Sequence, residues 1–158
     1  MVYSASGFEF CFTGTKAQMT ILSDSANWNE ENKGVLGIYV SKINPSDYKG
    51  NSLWDDFPED VTKKIFLNEY ENKIPLFESE KQETVLIRVL KLSECAFGYA
   101  GLADLQIDGE LVKPTQREDD ALKIEFIGDS ITCGYGIEGV WNVDTFSTKT
   151  ERADKSYA

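Results

Sequence analysis

The stretch Gly7-Phe8-Glu9-Phe10-Cys11-Phe12-Thr13 sets three aromatic rings on one side of the chain and Glu9, Cys11 and Thr13 on the other. Period-two alternation is what a half-buried β-strand requires, because successive side chains point to opposite faces. Working outward, similar short runs occur at Gln18–Leu22, Val35–Val40, Lys64–Leu67, Thr84–Leu92 and Asp104–Ile107. Between them lie Ser23–Asn29, Asn44–Ser52 and Asn68–Pro75, where Asn, Asp, Ser, Gly and Pro supply turn chemistry. Strands at this spacing predict an antiparallel β-sandwich. Asp108-Gly109, flanked by Leu105–Ile107 and Leu111-Val112, predicts a tight hairpin. There is no fixed-period repeat and no low-complexity tract.

The length, 158 residues, suits one ordinary domain or a small domain plus part of another. With 41% hydrophobic and 12% aromatic residues the chain has enough apolar material for a real core, which excludes a mainly disordered protein. Acidic residues outnumber basic ones 27 to 16, for a net charge of −11. That balance argues against nucleic acid or anionic lipid as a partner, since both need clustered Lys and Arg. No uncharged run approaches a membrane span, so no membrane partner is expected. The first residues lack the basic and apolar blocks of a signal peptide. Cys11, Cys95 and Cys133 are widely spaced, form no zinc pattern and read as small buried hydrophobes. The chain has no histidine, so no chemistry here draws on an imidazole of its own.

The character changes near Pro114. Residues Thr115 to Asp120 are a polar, charged connector of the kind that separates domains. Ala121 to Ile127 then reads as a new strand, with Ile124–Ile127 predicted outside the sandwich sheets. Thr150 to Ala158 reads as the opening of a helix with Thr150 as a possible cap. The expected division is a β-sandwich over residues 1–118 and the start of a second unit over 119–158. A strand, a turn and a short helix are only a piece of an α/β unit. Phe126, Ile127 and Ile131 would then lack a covering layer, and the tail is expected to be mobile or held by a neighbour.

The segment that carries chemistry is Ile124-Glu125-Phe126-Ile127-Gly128-Asp129-Ser130-Ile131-Thr132-Cys133-Gly134-Tyr135-Gly136. A serine on a tight turn at the carboxyl end of a strand projects its hydroxyl into a cleft. A following helical turn aims backbone N–H groups at the same space, which suits a developing oxyanion. Serine is a weak nucleophile and needs a base within hydrogen-bond reach. Gly128, Gly134 and Gly136 permit the sharp turn and a close substrate approach. The tripeptide Gly128-Asp129-Ser130 alone also fits a strand-ending turn in which Asp129 or Ser130 caps the next segment. The longer match, with an apolar strand before it and Thr132 and Gly134 after it, favours the nucleophile.

Gly128 to Gly134 resembles the first block of the SGNH, or GDSL-type, hydrolases. The aromatic-rich sandwich opening Ser4-Ala5-Ser6-Gly7-Phe8-Glu9-Phe10, placed before that block, resembles carbohydrate esterase family 2 more narrowly. The resemblance implies an N-terminal jelly-roll domain followed by an SGNH esterase domain that removes acetyl groups from xylan- or mannan-type plant polysaccharide. It implies Ser130 as nucleophile, with its N–H an oxyanion donor, and Gly128, Asp129, Gly134 and Gly136 as turn residues. An acetylated polysaccharide or oligosaccharide is the implied partner, with no metal and no cofactor. An extracellular or cell-surface location follows from the family alone. The family's histidine, its acidic partner and its other oxyanion groups have no counterpart here, so the sequence reads as a fragment clipped mainly at its C-terminal end. On its own it is expected to be inactive.

Trp141, just after the block, is a candidate for stacking on a sugar ring. Trp28 and Trp54 fall in polar loops and read as plugs of the sandwich ends, with sugar stacking the alternative. The acidic groups Asp55-Asp56, Glu59-Asp60 and Glu118-Asp119-Asp120 lack a calcium-loop spacing and read as solvated surface. Two other functions fit the residues. One is a non-catalytic carbohydrate-binding sandwich in which the Ser130 turn is scaffold. The other is a GDSL-type lipase or acylhydrolase with an unrelated N-terminal domain.

Overall fold

In the computed structural model the described residues are 1–50, 56–115 and 127–156. Trp54, the connector after Thr115 and the predicted strand up to Phe126 lie outside them. Among the described residues six strands form one antiparallel sheet: β1 (Gly7–Ser23), β2 (Gly34–Lys42), β3 (Lys63–Leu67), β4 (Glu71–Lys91), β5 (Ala100–Ile107) and β6 (Glu110–Leu111). The order is β3-β2-β4-β1-β5, and β6 also pairs with β1. The fold is the expected antiparallel, mainly β one.

Two long strands make the sandwich. Gly7 to Gly14 pairs with Glu83 to Leu90, and Lys16 to Leu22 pairs with Glu71 to Glu78, with the register broken between. The extra residues on β4 bend the ribbon at that break, as unpaired residues in a ladder do. The apolar positions of β1 change parity there, from Phe8, Phe10 and Phe12 to Ala17, Met19 and Ile21. A parity change normally turns a strand's apolar face outward. Here the bend compensates for it, and both halves face one core. Phe10, Phe12, Leu36, Ile38, Ile87 and Val89 on one layer meet Met19, Ile21, Ile74 and Leu76 on the other. The Phe12 and Phe77 rings pack edge to face across it, with centroids 5.9 Å apart.

Asp108-Gly109 is not the expected hairpin, because β5 and β6 both pair with β1 and not with each other. The chain keeps its direction and follows β1 around its bend. The Asp108 carboxylate holds the corner, accepting the Thr15 N–H at 2.8 Å, the Lys16 N–H at 2.9 Å and the Thr15 hydroxyl. Those bonds, the Thr15 hydroxyl first, keep its carboxyl below the usual range. The expected turn over Asn68–Pro75 is also corrected: Glu71 onward is strand. Pro75 is tolerated because this half of β4 pairs only with β1, leaving its missing N–H on the free edge.

The outer face of the β2–β4–β1 layer is buried too. Cys11, Val35, Tyr39, Leu86, Leu90 and Leu92 form a second core capped by Tyr48 and Phe57. Arg88 lies over the Phe57 ring at 4.2 Å and pairs with Glu9 at 2.9 Å. Burial on both faces explains why Thr84–Leu92 reads as an unbroken apolar run. Of the cysteines only Cys11 is buried, its thiol pushed up to about 11 by that burial; Cys95 is exposed and Cys133 intermediate.

The predicted helix from Thr150 is absent among the described residues. Short 3-10 turns stand at Thr148–Thr150 and Ala153–Lys155, and Ser147, not Thr150, caps the first. The donors that an α-helix would aim four residues back reach only three, Lys155 N–H to the Arg152 carbonyl at 3.0 Å and Ser156 N–H to Ala153 at 3.3 Å. Others go to distant carbonyls: Thr148 N–H to Glu31 at 2.8 Å, Arg152 N–H to Gly134 at 3.1 Å and Ala153 N–H to Leu92 at 3.1 Å. The expected loose tail is therefore corrected from Gly134 onward. Ile127 and Ile131 are uncovered as expected, 90% and 69% exposed. No helix among the described residues is long and apolar enough to cross a membrane.

Candidate active site

Residues 128–136 form a succession of turns. Asp129 Oδ1 accepts the Ile131 N–H at 3.0 Å, and its carbonyl accepts the Cys133 N–H at 3.3 Å. Asp129 thus shapes the loop around Ser130 as a local turn former. The Ser130 carbonyl accepts the Tyr135 N–H at 2.9 Å, and the Ile131 carbonyl the Gly134 N–H at 3.0 Å. These bonds close the loop that displays Ser130, whose residue is half-buried. Among the described residues no side chain hydrogen-bonds the Ser130 hydroxyl.

The glycines are sterically required at two places. A Cβ on Gly128 would sit 1.9 Å from the Thr132 hydroxyl oxygen, so the turn closes only over a bare backbone. Gly134 has a φ of 73°, and a Cβ there would sit 2.2 Å from the Arg152 carbonyl oxygen. Gly136 also has a left-handed φ, 64°, and it lines a cavity instead of packing.

That cavity, about 430 Å³, opens beside the turn and is lined by Tyr135, Trp141, Asn142, Asp144 and Phe146 among others. Trp141 is 94% exposed, so its ring is presented to solvent at the rim. Tyr135 stacks on Phe146 at 5.3 Å, Phe146 meets Phe97 at 5.0 Å, and Phe97 meets Trp28 edge-on at 5.6 Å. Trp28, 37% exposed, is not the buried plug expected of it and instead forms the solvent-facing end of this aromatic row. Gly136 and Trp141 share the cavity, whereas Gly128, Asp129 and Ser130 do not line it; Tyr135 joins the two through its bond to Ser130.

A strap of residues 147–154 ties the turn to the sandwich. Thr148 donates its hydroxyl to the Lys33 carbonyl at 2.7 Å, and Glu151 Oε2 accepts the Glu94 N–H at 3.0 Å. Arg152, 2% exposed, reaches Asp60 at 2.6 Å, Glu138 at 2.6 Å and Asp154 at 2.7 Å. Asp154 also accepts the Tyr39 hydroxyl. The Asp154 bond first, then those to Asp60 and Glu138, hold the guanidinium's charge even more firmly than usual. Glu151 is fully buried with one oxygen unpartnered, and burial pushes its carboxyl up to about 7. Lys91 donates to the Val2 and Glu94 carbonyls, and burial lowers it to about 8. Sequence reading missed the strap, because its charged residues match an exposed helix turn and their partners lie tens of residues away. Among the described residues no cluster of three or more His, Cys, Asp or Glu is placed to hold a metal.

A two-layer antiparallel β-sandwich that carries a serine turn at its C-terminal end is the class of protein defined here, and comparison with known proteins links it to carbohydrate esterases. No family model matches the chain. It is 29% identical over 160 residues to the cellulase/esterase CelE of Acetivibrio thermocellus, covering 99% of this chain and 16% of that protein. A family two carbohydrate esterase from Clostridium thermocellum, solved in complex with cellohexaose, superposes with a TM-score of 0.74 at 25% identity over 99% of this chain and 41% of that one. An acetyl xylan esterase, Est2A, from the rumen bacterium Butyrivibrio proteoclasticus shares the fold with a TM-score of 0.72 at 20% identity, over 99% of this chain and 37% of that one. The resemblance to carbohydrate esterase family 2 thus holds in sequence and in fold. The chain spans about a sixth of the curated relative and about two fifths of the solved esterases.

Proposed function

We propose that these residues belong to an O-acetyl esterase acting on acetylated plant polysaccharide outside the cell, with Ser130 as the nucleophile. In this reading residues 1–118 are the jelly-roll domain and 119–158 open the SGNH hydrolase domain. The observation that supports it most is the Ser130 hydroxyl, unclaimed by any described side chain, on a glycine-bounded turn next to an aromatic-lined cavity of about 430 Å³. Trp141 and Tyr135 offer the flat faces against which the C–H side of a sugar ring packs.

In the reaction, Ser130 Oγ bonds to the acetyl carbonyl carbon as its proton passes to a base. The carbonyl oxygen takes the negative charge beside the Ser130 N–H. The tetrahedral intermediate collapses, the sugar oxygen leaves with that proton, and acetyl-Ser130 remains. Water then releases acetate by the reverse sequence. The 158 residues contain no histidine, so an imidazole base would come from outside them. No metal or organic cofactor enters this scheme.

The test is Ser130→Ala in a polypeptide that carries these residues within a complete hydrolase domain. Release of acetate from acetylated xylan and from p-nitrophenyl acetate should fall by about a thousandfold or more. The circular dichroism spectrum should not change. Turnover above a tenth of wild type would reject Ser130. The 158-residue chain alone should show no Ser130-dependent multiple turnover.

A further inference from the structure

The strap has two sides. One is bonded to the sandwich, through the Glu31, Lys33 and Leu92 carbonyls, the Glu94 N–H and Asp60. The other is bonded to the segment after Ser130: the Gly134 carbonyl accepts the Arg152 N–H, the Thr150 carbonyl accepts the Glu138 N–H at 3.0 Å, and Arg152 Nη1 holds the Glu138 carboxylate at 2.6 Å. The second Glu138 oxygen takes Lys64 Nζ of β3 at 2.7 Å, and Lys64 also donates to the Lys149 carbonyl. Among the described residues, Glu138 is therefore the carboxylate that joins the turn segment to both the strap and a sandwich strand. Only eight positions separate it from Ser130, and the Tyr135-to-Ser130 bond shortens the mechanical path further.

We propose that Glu138 and Arg152 are positioning residues for the Ser130 turn, a clasp through which the sandwich fixes where the nucleophile stands. This rests on the esterase reading of Ser130. Neither side chain lines the cavity or bonds Ser130, so they act through Gly134, Tyr135 and the backbone between. Displacement of a reacting atom by about an ångström costs on the order of a hundredfold in rate, so a partial loosening of the clasp should be visible in turnover. An arginine suits the role because its planar fork serves Asp60, Glu138 and Asp154 together, which a lysine cannot do.

The experiment uses Glu138→Gln, which keeps the shape but removes the charge and leaves Arg152 its two aspartates. In the 158-residue chain, the amides of residues 134–139 should exchange with solvent about tenfold faster, while those of β2 and β4 stay unchanged. In the polypeptide with a complete hydrolase domain, kcat for p-nitrophenyl acetate should fall about tenfold with KM within twofold. Glu138→Asp, which keeps the charge, should recover part of both losses. Lys42→Ala, which removes a surface pair with Glu83, is the control and should change neither. Arg152→Met should exceed Glu138→Gln in the same direction, and if it fails to fold the Glu138 variants still decide. Exchange and kcat both within twofold of wild type in Glu138→Gln would overturn the proposal. Ser130→Ala run alongside separates the two ideas: if it keeps its activity the esterase reading fails, whereas the exchange result judges the clasp by itself.

Discussion

A carboxyl that is fully buried and has one oxygen without a protein partner is costly in its charged form, and Glu151 is in that position. Its surroundings are Lys91, the Glu94 N–H and the Glu94 carboxylate, and burial raises its pKa to about 7. A folded pKa above the unfolded one means that the folded chain holds a proton the unfolded chain has released. Stability from this group is therefore complete below about pH 4.5 and is lost as pH rises through about 7. Lys91 has the opposite sign. Lowered from 10.5 to about 8 by burial, beside Cys95, Glu151, Cys133 and Asp24, it favours folding as pH climbs from about 8 towards 10.5. The two together predict a stability minimum near pH 7–8. Urea midpoints measured from pH 4 to 10 should show it, and Glu151→Gln should flatten the acid-side limb. The alkaline limb should persist, because burial sets the Lys91 shift and the Glu151 charge only opposes it. An unaltered acid-side slope in Glu151→Gln would assign that slope to other carboxylates.

At the scale of the elements, the outer face of the β2–β4–β1 layer behaves as a second core. Adjacent residues of β4 test it: Ile87 faces the core between the layers and Leu86 faces outward. Were the outer face solvated, Leu86→Ala would cost well under 1 kcal/mol, as surface changes do. With Leu86 2% exposed, it should cost about 2–5 kcal/mol, close to Ile87→Ala, in guanidinium denaturation. A Leu86→Ala cost below a third of the Ile87→Ala cost would mean the Tyr48 and Phe57 cover is dispensable. The inner core was legible from alternation, since Phe8, Phe10 and Phe12 announce their face directly. The second half of β4 was legible from its apolar run. The bend in β1 was not, because two strands and one bent strand give the same pair of alternating runs. Glu71–Glu78 was hidden by Pro75, whose cost depends on an edge that only tertiary structure reveals. In the candidate site, Ser130 and its glycines stood out as a compact local motif. Arg152, Glu138 and Glu151 did not, since long-range ion pairs leave no spacing pattern in the chain.

On the scale of the whole molecule, the same long-range bonds bear on whether the sandwich and residues 127–156 behave as one body. A connector followed by a new unit suggests two independent transitions. The structure instead buries Thr148, Glu151, Arg152 and Ala153 among sandwich residues and commits the strap's backbone to Glu31 and Leu92. Removing one partner of a buried ion pair leaves an uncompensated charge, which costs about 3–5 kcal/mol. Undocking the strap exposes Arg152 and its carboxylates to water together, so it loses the contacts without that penalty, but it also uncovers the Tyr39 and Leu92 end of the outer core. The strap should therefore contribute to the sandwich's stability as well as depend on it. The expected outcome is one unfolding transition of the 158-residue chain. Near-ultraviolet circular dichroism, sensitive to the Trp28–Phe97–Phe146–Tyr135 row, should coincide with the far-ultraviolet signal of the strands. Deleting residues 127–156 should lower the sandwich midpoint. Two separated transitions, with the sandwich midpoint unaffected by that deletion, would show that the strap rests on the sandwich without supporting it, and the sandwich would then have to position the turn by contact alone.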